Sequence, residues 1–407
     1  MRRRSRVLAV AARASPLACV IALDFGAPAR TALELAAAQA GVPVWLQPTA
    51  VVGLAALALG AAGEILAFPF LFRADWLLAR RYGLSRARFG AWWRAHARTA
   101  LLTCAAWVVG AAFVYAAIGS SVTHWWLVAG ATYGTGTVVL ALLGPILLRP
   151  APRARPLARR GLTTRLEDLA RRAGAPVLGV HAWPEGEASR PNAALVGVGS
   201  ARRVLLSDTL VADYSDAEIE VVLAHELAHH VHRDIWKTMA FRAAVVCGAC
   251  WIGGRALVEL GPTLGLSGAA DPAGLPALAL FVGGVVAATL PAANLLSRRH
   301  ERRADRFALD VTGNHEAFVS GLRRMGTEHL VEERPTRLVK WCFHSHPTVA
   351  DRVAEARRHR ALARRDERVR RGAPTRPVPG RARTVATREL RRDPRGAPAR
   401  EGSLRRP

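Results

Sequence analysis

Six long apolar segments, separated by short polar stretches, dominate the first 300 residues of the chain. A helix needs about 20 mostly apolar residues to cross the hydrocarbon core of a bilayer. Arginines interrupt the first segment and weaken the fifth, and only a few small residues separate the third from the fourth. The pattern therefore predicts about six transmembrane helices, over residues 7–23, 49–72, 99–118, 122–148, 239–260 and 275–296.

Two hydrophilic blocks interrupt this apolar pattern, at 149–237 and 298–354. The first begins with a linker rich in Pro and Arg, continues with an amphipathic helix near 164–172 and short strand-like runs, and ends in an apolar helix. A small β element is therefore expected in an otherwise helical protein. From residue 355 onwards the chain is rich in Arg, Pro and Ala without apolar periodicity, which predicts a disordered basic tail.

The charge pattern adds a topology to these segments. The chain carries a formal charge of +26, and its basic clusters fall at 2–6, 73–98, 149–160 and 298–306. Basic loops stay on the cytoplasmic side of a membrane. Six spans then alternate without conflict, which favours a first span over a signal peptide and places both termini and both hydrophilic blocks in the cytoplasm. The Arg- and Ala-rich composition is typical of a bacterium with a GC-rich genome, so we expect the protein in a bacterial cell membrane.

Such a positive charge is also typical of proteins that bind nucleic acid. The chain has no recognition motif for nucleic acid, and its arginines lie beside apolar segments or in the tail. We therefore expect no nucleic-acid partner. Membrane lipid is the expected partner of the basic clusters, and the tail either contacts anionic lipid or is solvated without a role.

The candidate chemistry centres on an H-E-x-x-H motif at 225–229. On a helix, His225 and His229 project from one face about one turn apart, as two imidazoles that bind one zinc ion require. Glu226 is too close to the first histidine to chelate, but it is well placed to take a proton from an attacking water and pass it to a leaving amine. The alternative is a chance pair on a solvated helix. The helix-start pattern at 215–218 and the apolar lead-in favour a buried helix, whose polar side chains need partners.

Glu301 is the candidate third ligand of such a metal site. It lies in the sequence Glu301-x-x-x-Asp305, on a helix that is expected to emerge from a membrane segment. Two His and one Glu would leave a fourth position for water. Asp305, one turn further, could accept a hydrogen bond from a ligand imidazole. The alternative is a charged helix face, because arginines surround both acids, but the upstream motif favours the ligand role.

A polar segment at 343–347 is the remaining constellation. His346 within it could donate a hydrogen bond to an oxyanion near the metal. It could equally belong to a solvated loop in which Pro347 starts a helix. The residues alone leave both readings open.

Together these residues resemble the integral-membrane zinc metalloproteases typified by CAAX prenyl protease 1, with the bacterial heat-shock membrane protease as a more distant relative. The order and spacing of the matching segments, which extend over about 60–355, carry the resemblance. The segments are Tyr82-Gly83-Leu84-Ser85-Arg86, Asn192-Ala193, 204–210, 225–229, 301–305, and 343–347 with Arg352.

The resemblance implies a gluzincin, with one zinc ion on His225, His229 and Glu301 and with Glu226 as general base. It also implies that the strand near Asn192 pairs with an extended substrate peptide. His346 and Arg352 are expected at the site, which favours a catalytic role for His346. Arg352 and Asp305 would support the ligands from behind.

The eukaryotic members of that family have seven spans, whereas this sequence has six at most. Prenylated substrates are not expected in a bacterium, so we expect cleavage of membrane-associated or misfolded proteins. A non-catalytic scaffold with a structural zinc is the alternative function. Structural sites close the fourth position with Cys or His, and no Cys lies near the motif.

The expected fold class is thus mainly α, a polytopic membrane protein with a cytoplasmic gluzincin-type catalytic domain that carries a small β element. Its expected parts are an N-terminal transmembrane region (1–148), a metalloprotease part with the motif helix (149–237), two membrane segments (238–297), the remainder of the catalytic domain (298–354) and the tail (355–407).

Overall fold

The computed structural model describes residues 2–83, 88–147, 154–183, 191–196, 202–328 and 335–372. The helices are α1 (Arg2–Ala22), α2 (Gly26–Gln39), α3 (Gln47–Leu71), α4 (Leu78–Arg81), α5 (Phe89–Ser120), α6 (Trp125–Leu147), α7 (Arg160–Arg172), α8 (Asp208–Asp213), α9 (Asp216–Val231), α10 (Asp234–Leu260), α11 (Leu275–Ala288), α12 (Leu290–Thr312), α13 (His315–Glu328), α14 (Arg337–Phe343) and α15 (Val349–Gly372). The strands are β1 (Arg155–Pro156), β2 (Val180–Trp183), β3 (Ala193–Val196) and β4 (Arg203–Ser207). The prediction of a mainly helical fold with a small β element is confirmed.

Four helical stretches are long and apolar enough to cross a membrane, and a bent pair would make a fifth. The four are Arg3–Ala22, Val44–Arg81, Phe89–Ser120 and Asp234–Leu260, and the pair is Pro272–Ala288 with Leu290–Thr312, bent by 40°. Five of the six predicted segments fall on these elements, and the remaining one, predicted over 122–148, forms α6. Within the described residues the chain thus offers four to five spans. Six spans and a cytoplasmic orientation stay predictions.

Small residues and ion pairs hold α1 against α3. The Gly63 position is so close to the backbone oxygen of Arg13 that an added Cβ would lie 2.9 Å from it. At the same level of the two helices, Arg13 pairs with Glu64 at 2.7 Å. Close backbone approach at small residues is the usual way for helices to associate in a membrane. Nearer its start, α1 pairs again, through Arg6 with Asp75 at 2.7 Å.

The four strands form one sheet in the order β1-β2-β4-β3, in which β2 and β4 are parallel and the other two pairs are antiparallel. Within the described residues β3 is therefore an edge strand. α7, α9 and α13 pack with this sheet around one apolar core of fully buried side chains, which include Leu166, Leu206, Leu223, Leu227 and Phe318. Each buried side chain of this size contributes about 1.5–3 kcal/mol relative to an exposed one.

The motif helix α9 begins with a reciprocal cap. The Ser215 hydroxyl accepts a hydrogen bond from the Glu218 N–H at 3.3 Å, and the Glu218 carboxylate accepts one from the Ser215 N–H at 2.9 Å. Burial opposes ionisation of Glu218, but these bonds, together with Ser320 and Arg324, hold its pKa below the ordinary value. The predicted helix start at 215–218 is confirmed, and it sets the register in which α9 presents its histidines.

The predicted disordered tail is wrong over residues 355–372, because α15 runs across them. Ala356 is 1% exposed, and Glu355 pairs with Arg306 at 2.7 Å. Ala, Arg and Glu are strong helix formers, so a composition with few large apolar residues still supports a helix here. By its contacts the chain divides into units 1–361 and 362–407. The rest of the predicted tail, 373–407, lies outside the described residues, as do 84–87 of the connector and 148–153 of the linker.

Candidate metal centre

α9 presents His225 and His229 side by side. The centroids of their rings are 5.0 Å apart and the ring planes are nearly perpendicular. The opposite face of the helix, with Ile219, Leu223 and Leu227, is completely buried in the core. Because that apolar face fixes the rotation of α9, the two imidazoles point together away from the core.

Glu301 on α12 completes a group of three. Its Oε2 atom lies 3.4 Å from His225 Nε2, and its Oε1 atom lies 3.6 Å from His229 Nε2. One donor atom from each of the three residues lies within 4.8 Å of the other two. A zinc ion bound tetrahedrally at about 2.0–2.2 Å holds its donors about 3.3–3.6 Å apart. The distances from the two imidazole nitrogens to the Glu301 carboxylate therefore fit donors of one such ion.

A carboxylate lies behind each histidine. His225 Nδ1 is 3.0 Å from Asp305, and His229 Nδ1 is 3.1 Å from Asp234. A carboxylate on one ring nitrogen fixes the tautomer, so that the other nitrogen, Nε2, presents its lone pair to a metal. Asp305 was expected in this position, whereas the sequence analysis did not single out Asp234. Its sequence signal is weak, because Asp234 reaches the site only through a sharp turn at Arg233, whose φ is +56°.

Arginines in turn hold both carboxylates. Arg352 Nε donates to Asp305 at 2.8 Å, a second nitrogen of the same guanidinium donates to the other oxygen of Asp305, and Arg303 donates to Asp234. Burial opposes the charge of Arg352, but the Asp305 carboxylate holds its pKa above the ordinary value. Arg352 Nη2 also lies 3.4 Å from His225 Nδ1. Arg352 thus contacts both His225 and the carboxylate of Asp305, and it also lines the first cavity.

The centre attracts positive charge. Burial lowers the pKa of His225, yet the hydrogen bonds to Asp305 and Glu301 outweigh burial and raise this pKa to about 9. The Glu301 side chain is only 8% exposed, so its charge is poorly screened by water. Buried carboxylates require a cationic partner. The arrangement is therefore electrostatically suited to a bound cation.

Two cavities meet at this centre, and Glu226 and Glu301 line both of them. The first, of about 520 Å³, extends towards α13 and the 343–349 segment. The second, of about 610 Å³, extends along β3 and includes Ala193 to Leu195. Glu226 is not part of the ligand group, and it is half-buried between the two cavities.

His346 contacts the ligand group, whereas Asn192 lies at the start of the edge strand. His346 Nδ1 is 3.0 Å from Glu301 Oε2, and its side chain is 64% exposed in the first cavity. Asn192 precedes β3, where its N–H donates to the Ser207 hydroxyl and its carbonyl accepts from the Ser207 N–H, both at 2.9 Å. Asn192 thus fixes the start of the edge strand, and β3 itself lines the second cavity.

Comparison with known proteins yields a family and several relatives. The sequence profile described as Peptidase family M48 matches residues 156–360. The chain is 28% identical over 238 residues to "Uncharacterized metalloprotease YhfN" of Bacillus subtilis (strain 168), covering 57% of this chain and 56% of that protein. It is 27% identical over 218 residues to "Protease HtpX homolog" of Campylobacter concisus, a match that covers 49% of this chain and 74% of that protein. It is 25% identical over 231 residues to "Probable CAAX prenyl protease 1" of Schizosaccharomyces pombe, a match that covers 53% of this chain and 46% of that protein.

The fold also matches a solved structure. The crystal structure of S. mikatae Ste24p aligns with a TM-score of 0.69 at 20% identity, over 83% of this chain and 82% of that one. At this identity the match establishes the fold. The match with YhfN covers little more than half of that relative's length.

Proposed function

This chain belongs to peptidase family M48, a family of metallopeptidases, and from that premise we propose that it is a membrane-embedded, zinc-dependent endopeptidase acting on membrane-associated or misfolded proteins. The family match confirms the resemblance stated from the motifs. One observation supports the proposal above all others, the group formed by His225, His229 and Glu301 with Glu226 beside it in an open cavity. The proteases among the relatives agree with the proposed activity, and the long apolar helices of this chain agree with a membrane location.

Zinc is the ion we propose, held by the two imidazoles and the Glu301 carboxylate. It would supply Lewis acidity at the scissile carbonyl and lower the pKa of the attacking water. Within the described residues the ligand group has three members, which leaves an open position of the kind that catalytic sites keep and structural sites close. This observation disfavours the scaffold with a structural zinc.

Glu226 is the proposed general base. It follows the first ligand histidine directly and faces both cavities, so it can contact a water and a substrate placed between them. We propose that its carboxylate takes the proton of the attacking water and then gives it to the leaving amine. The neighbouring Arg352 acts through Asp305 and His225, which it keeps in position.

His346 is proposed to stabilise the developing oxyanion. Its ring reaches the edge of the ligand group, 3.0 Å from Glu301 Oε2, and is exposed to the cavity on its other side. A hydrogen-bond donor at such a position acts where charge develops in the transition state.

The substrate peptide is proposed to bind as an additional strand beside β3. This strand is an edge strand within the described residues, and Ala193 to Leu195 line the cavity that contains Glu226 and His229. An extended peptide on a sheet edge gains main-chain hydrogen bonds regardless of its sequence. Asn192 would fix the register by holding the start of β3 against β4.

We further propose a bacterial cell membrane as the location, with the site on its cytoplasmic side and anionic lipid against the basic clusters.

Metal removal tests this function. Detergent-purified protein is expected to hold one zinc per chain, to cleave casein or a labelled peptide, to lose cleavage with its zinc on chelation, and to recover both when zinc is added. Zinc content by elemental analysis and cleavage by fluorescence are measured on the same samples. Cleavage that persists in metal-free protein would contradict the proposal, as would the absence of stoichiometric zinc.

Asp234→Asn tests the newly identified carboxylate. We expect zinc affinity to fall about 10–100-fold, the usual cost of removing a partner that orients a ligand. The reason is that the amide leaves His229 without a carboxylate on Nδ1, where the two atoms are now 3.1 Å apart. Competition with a chromogenic chelator measures the affinity. Asp310→Asn, a 65% exposed carboxylate on α12, is the matched control, and equal affinity in both variants would remove Asp234 from the site.

A further inference from the structure

A basic pocket lies between α13 and α15, apart from the two cavities at the metal centre. It has a volume of about 270 Å³ and shares no lining residue with either of those cavities. Three arginines line this α13–α15 pocket, Arg323 from α13 and Arg357 and Arg360 from α15. Two helices thus direct guanidinium groups to one small pocket.

Two of these arginines lack an acidic partner. Arg323 and Arg357 are exposed, and neither forms a hydrogen bond or ion pair with a residue that the structure describes. Arg360 pairs with Glu316 at 3.1 Å, and the Glu316 side chain is 80% exposed. Because an ion pair so exposed to water is weak, an anion in the pocket can share or replace Glu316 at Arg360.

Hydrogen bonds between histidines fix α13 against α15 beside this pocket. His315 Nε2 lies 3.0 Å from His359 Nδ1, and His359 Nε2 lies 2.8 Å from Asp310 on α12. Three helices therefore hold the pocket in shape without a ligand. Since the two helices need not be ordered by the ligand, little of its binding free energy is lost in doing so.

The charge of the lining indicates the class of ligand. With His315 neutral, the three arginines and Glu316 leave two net positive charges in the pocket. A phosphate group carries about two negative charges and offers three acceptor oxygens, so it can accept hydrogen bonds from guanidiniums of both helices. A carboxylate, with one charge and two oxygens, would satisfy less of the lining. The chain beyond residue 372 is an unsuitable occupant, because its charge is mainly that of arginine.

The position of the pocket favours a dissolved phosphate over a lipid headgroup. The last predicted membrane segment ends near residue 296, whereas α12 continues to Thr312 before α13 begins. These further residues of α12 are about 24 Å of helix. That length separates the start of α13 from the predicted membrane segment.

The two helices also contribute to the first cavity, through Phe318 and Leu322 of α13 and Arg352 of α15. We propose that the α13–α15 pocket binds a phosphate-bearing anion from solution. The anion bridges Arg323 and Arg357 and so ties together two helices that frame the metal centre. This inference does not depend on the proposed peptidase activity.

Calorimetric titration of the detergent-purified, zinc-loaded full chain with sodium phosphate, at constant ionic strength, tests the inference. We expect saturable binding by the wild type. Arg323→Ala and Arg357→Ala should each weaken it by about tenfold or more, the usual effect of losing a hydrogen bond to a charged group. Glu316→Gln should bind more tightly, because the change removes the one carboxylate of the lining. Arg358→Ala is the matched control, since Arg358 is 74% exposed and pairs with Glu355, and it should bind as the wild type does.

Hydrogen–deuterium exchange locates the bound phosphate in the wild type without any substitution. Exchange should slow over residues 315–323 and 353–360 when phosphate is added. Phosphate that binds the zinc ion, or the basic surface at large, would leave these segments unchanged and would bind Arg323→Ala and Arg357→Ala with wild-type affinity. Either result would overturn the inference.

Nanodiscs of phosphatidylcholine, with and without phosphatidic acid, distinguish the two sources of phosphate. In buffer free of phosphate we expect the same exchange over 315–323 and 353–360 in both kinds of disc. Slower exchange there with phosphatidic acid, and none with dissolved phosphate, would keep the phosphate site but assign it to a lipid headgroup. No slowing with either source would end the inference.

Discussion

The Glu226→Gln variant is expected to lose peptide hydrolysis by about 10²–10⁴-fold in kcat while it keeps its zinc. The amide has the shape of the carboxylate but cannot take a proton from water. Glu226 stands outside the ligand group, so its replacement leaves all three donors in position. Cleavage of a labelled peptide and zinc content are measured on one preparation.

The matched control for this variant is Glu220→Gln. Glu220 lies on the same helix but pairs with Arg165 away from both cavities. Wild-type turnover is expected for it. If Glu226→Gln also turned over at the wild-type rate, Glu226 would have no part in the chemistry. If it lost both zinc and turnover, its role would be structural.

Glu301→Ala is expected to lose the metal and with it all measurable cleavage. The change removes the one oxygen donor of the group and leaves two imidazoles that cannot hold zinc at working concentrations. The loss of affinity should exceed the about 10–100-fold that removal of an orienting partner costs. Zinc content after gel filtration and titration with zinc in a chelator buffer measure it.

Glu301→Gln separates the ligand role from packing. The glutamine fills the same space on α12, yet its neutral amide oxygen is a weaker donor, so zinc should still be lost to a large degree. Asp310→Ala, an exposed acid on the same helix, should retain full occupancy. Wild-type zinc content in Glu301→Ala would show that another residue is the third ligand.

The parts of this site that sequence reasoning reached are those set by local periodicity. One helical turn separates His225 from His229 and Glu301 from Asp305, so each pair could be placed on a common face without knowledge of the fold. The spacing of Ser215 and Glu218 likewise predicted the start of the motif helix, and both hydrogen bonds of that cap are present in the structure. Such signals extend over only four or five residues, so they can be recognised in a single sequence without knowledge of the fold.

The residues that sequence reasoning missed are joined by turns or by long-range packing. Asp234 meets His229 because Arg233 adopts a left-handed conformation, and no pattern in the sequence demands that conformation. The residues after 355 were misread because Arg-rich composition conceals the buried face of α15, on which Ala356 packs.

The order of the ligands along the chain has a consequence for biosynthesis. His225 and His229 precede the apolar helices α10 and α11, whereas Glu301 follows them. A nascent chain in which α10 and α11 have not yet entered the membrane holds the two imidazoles without the Glu301 carboxylate that completes the group. Under the proposed function, such a chain lacks a complete metal site and does not cleave peptides. Activity would then begin only after α12 has packed against α9, so that membrane insertion would control when the enzyme becomes active.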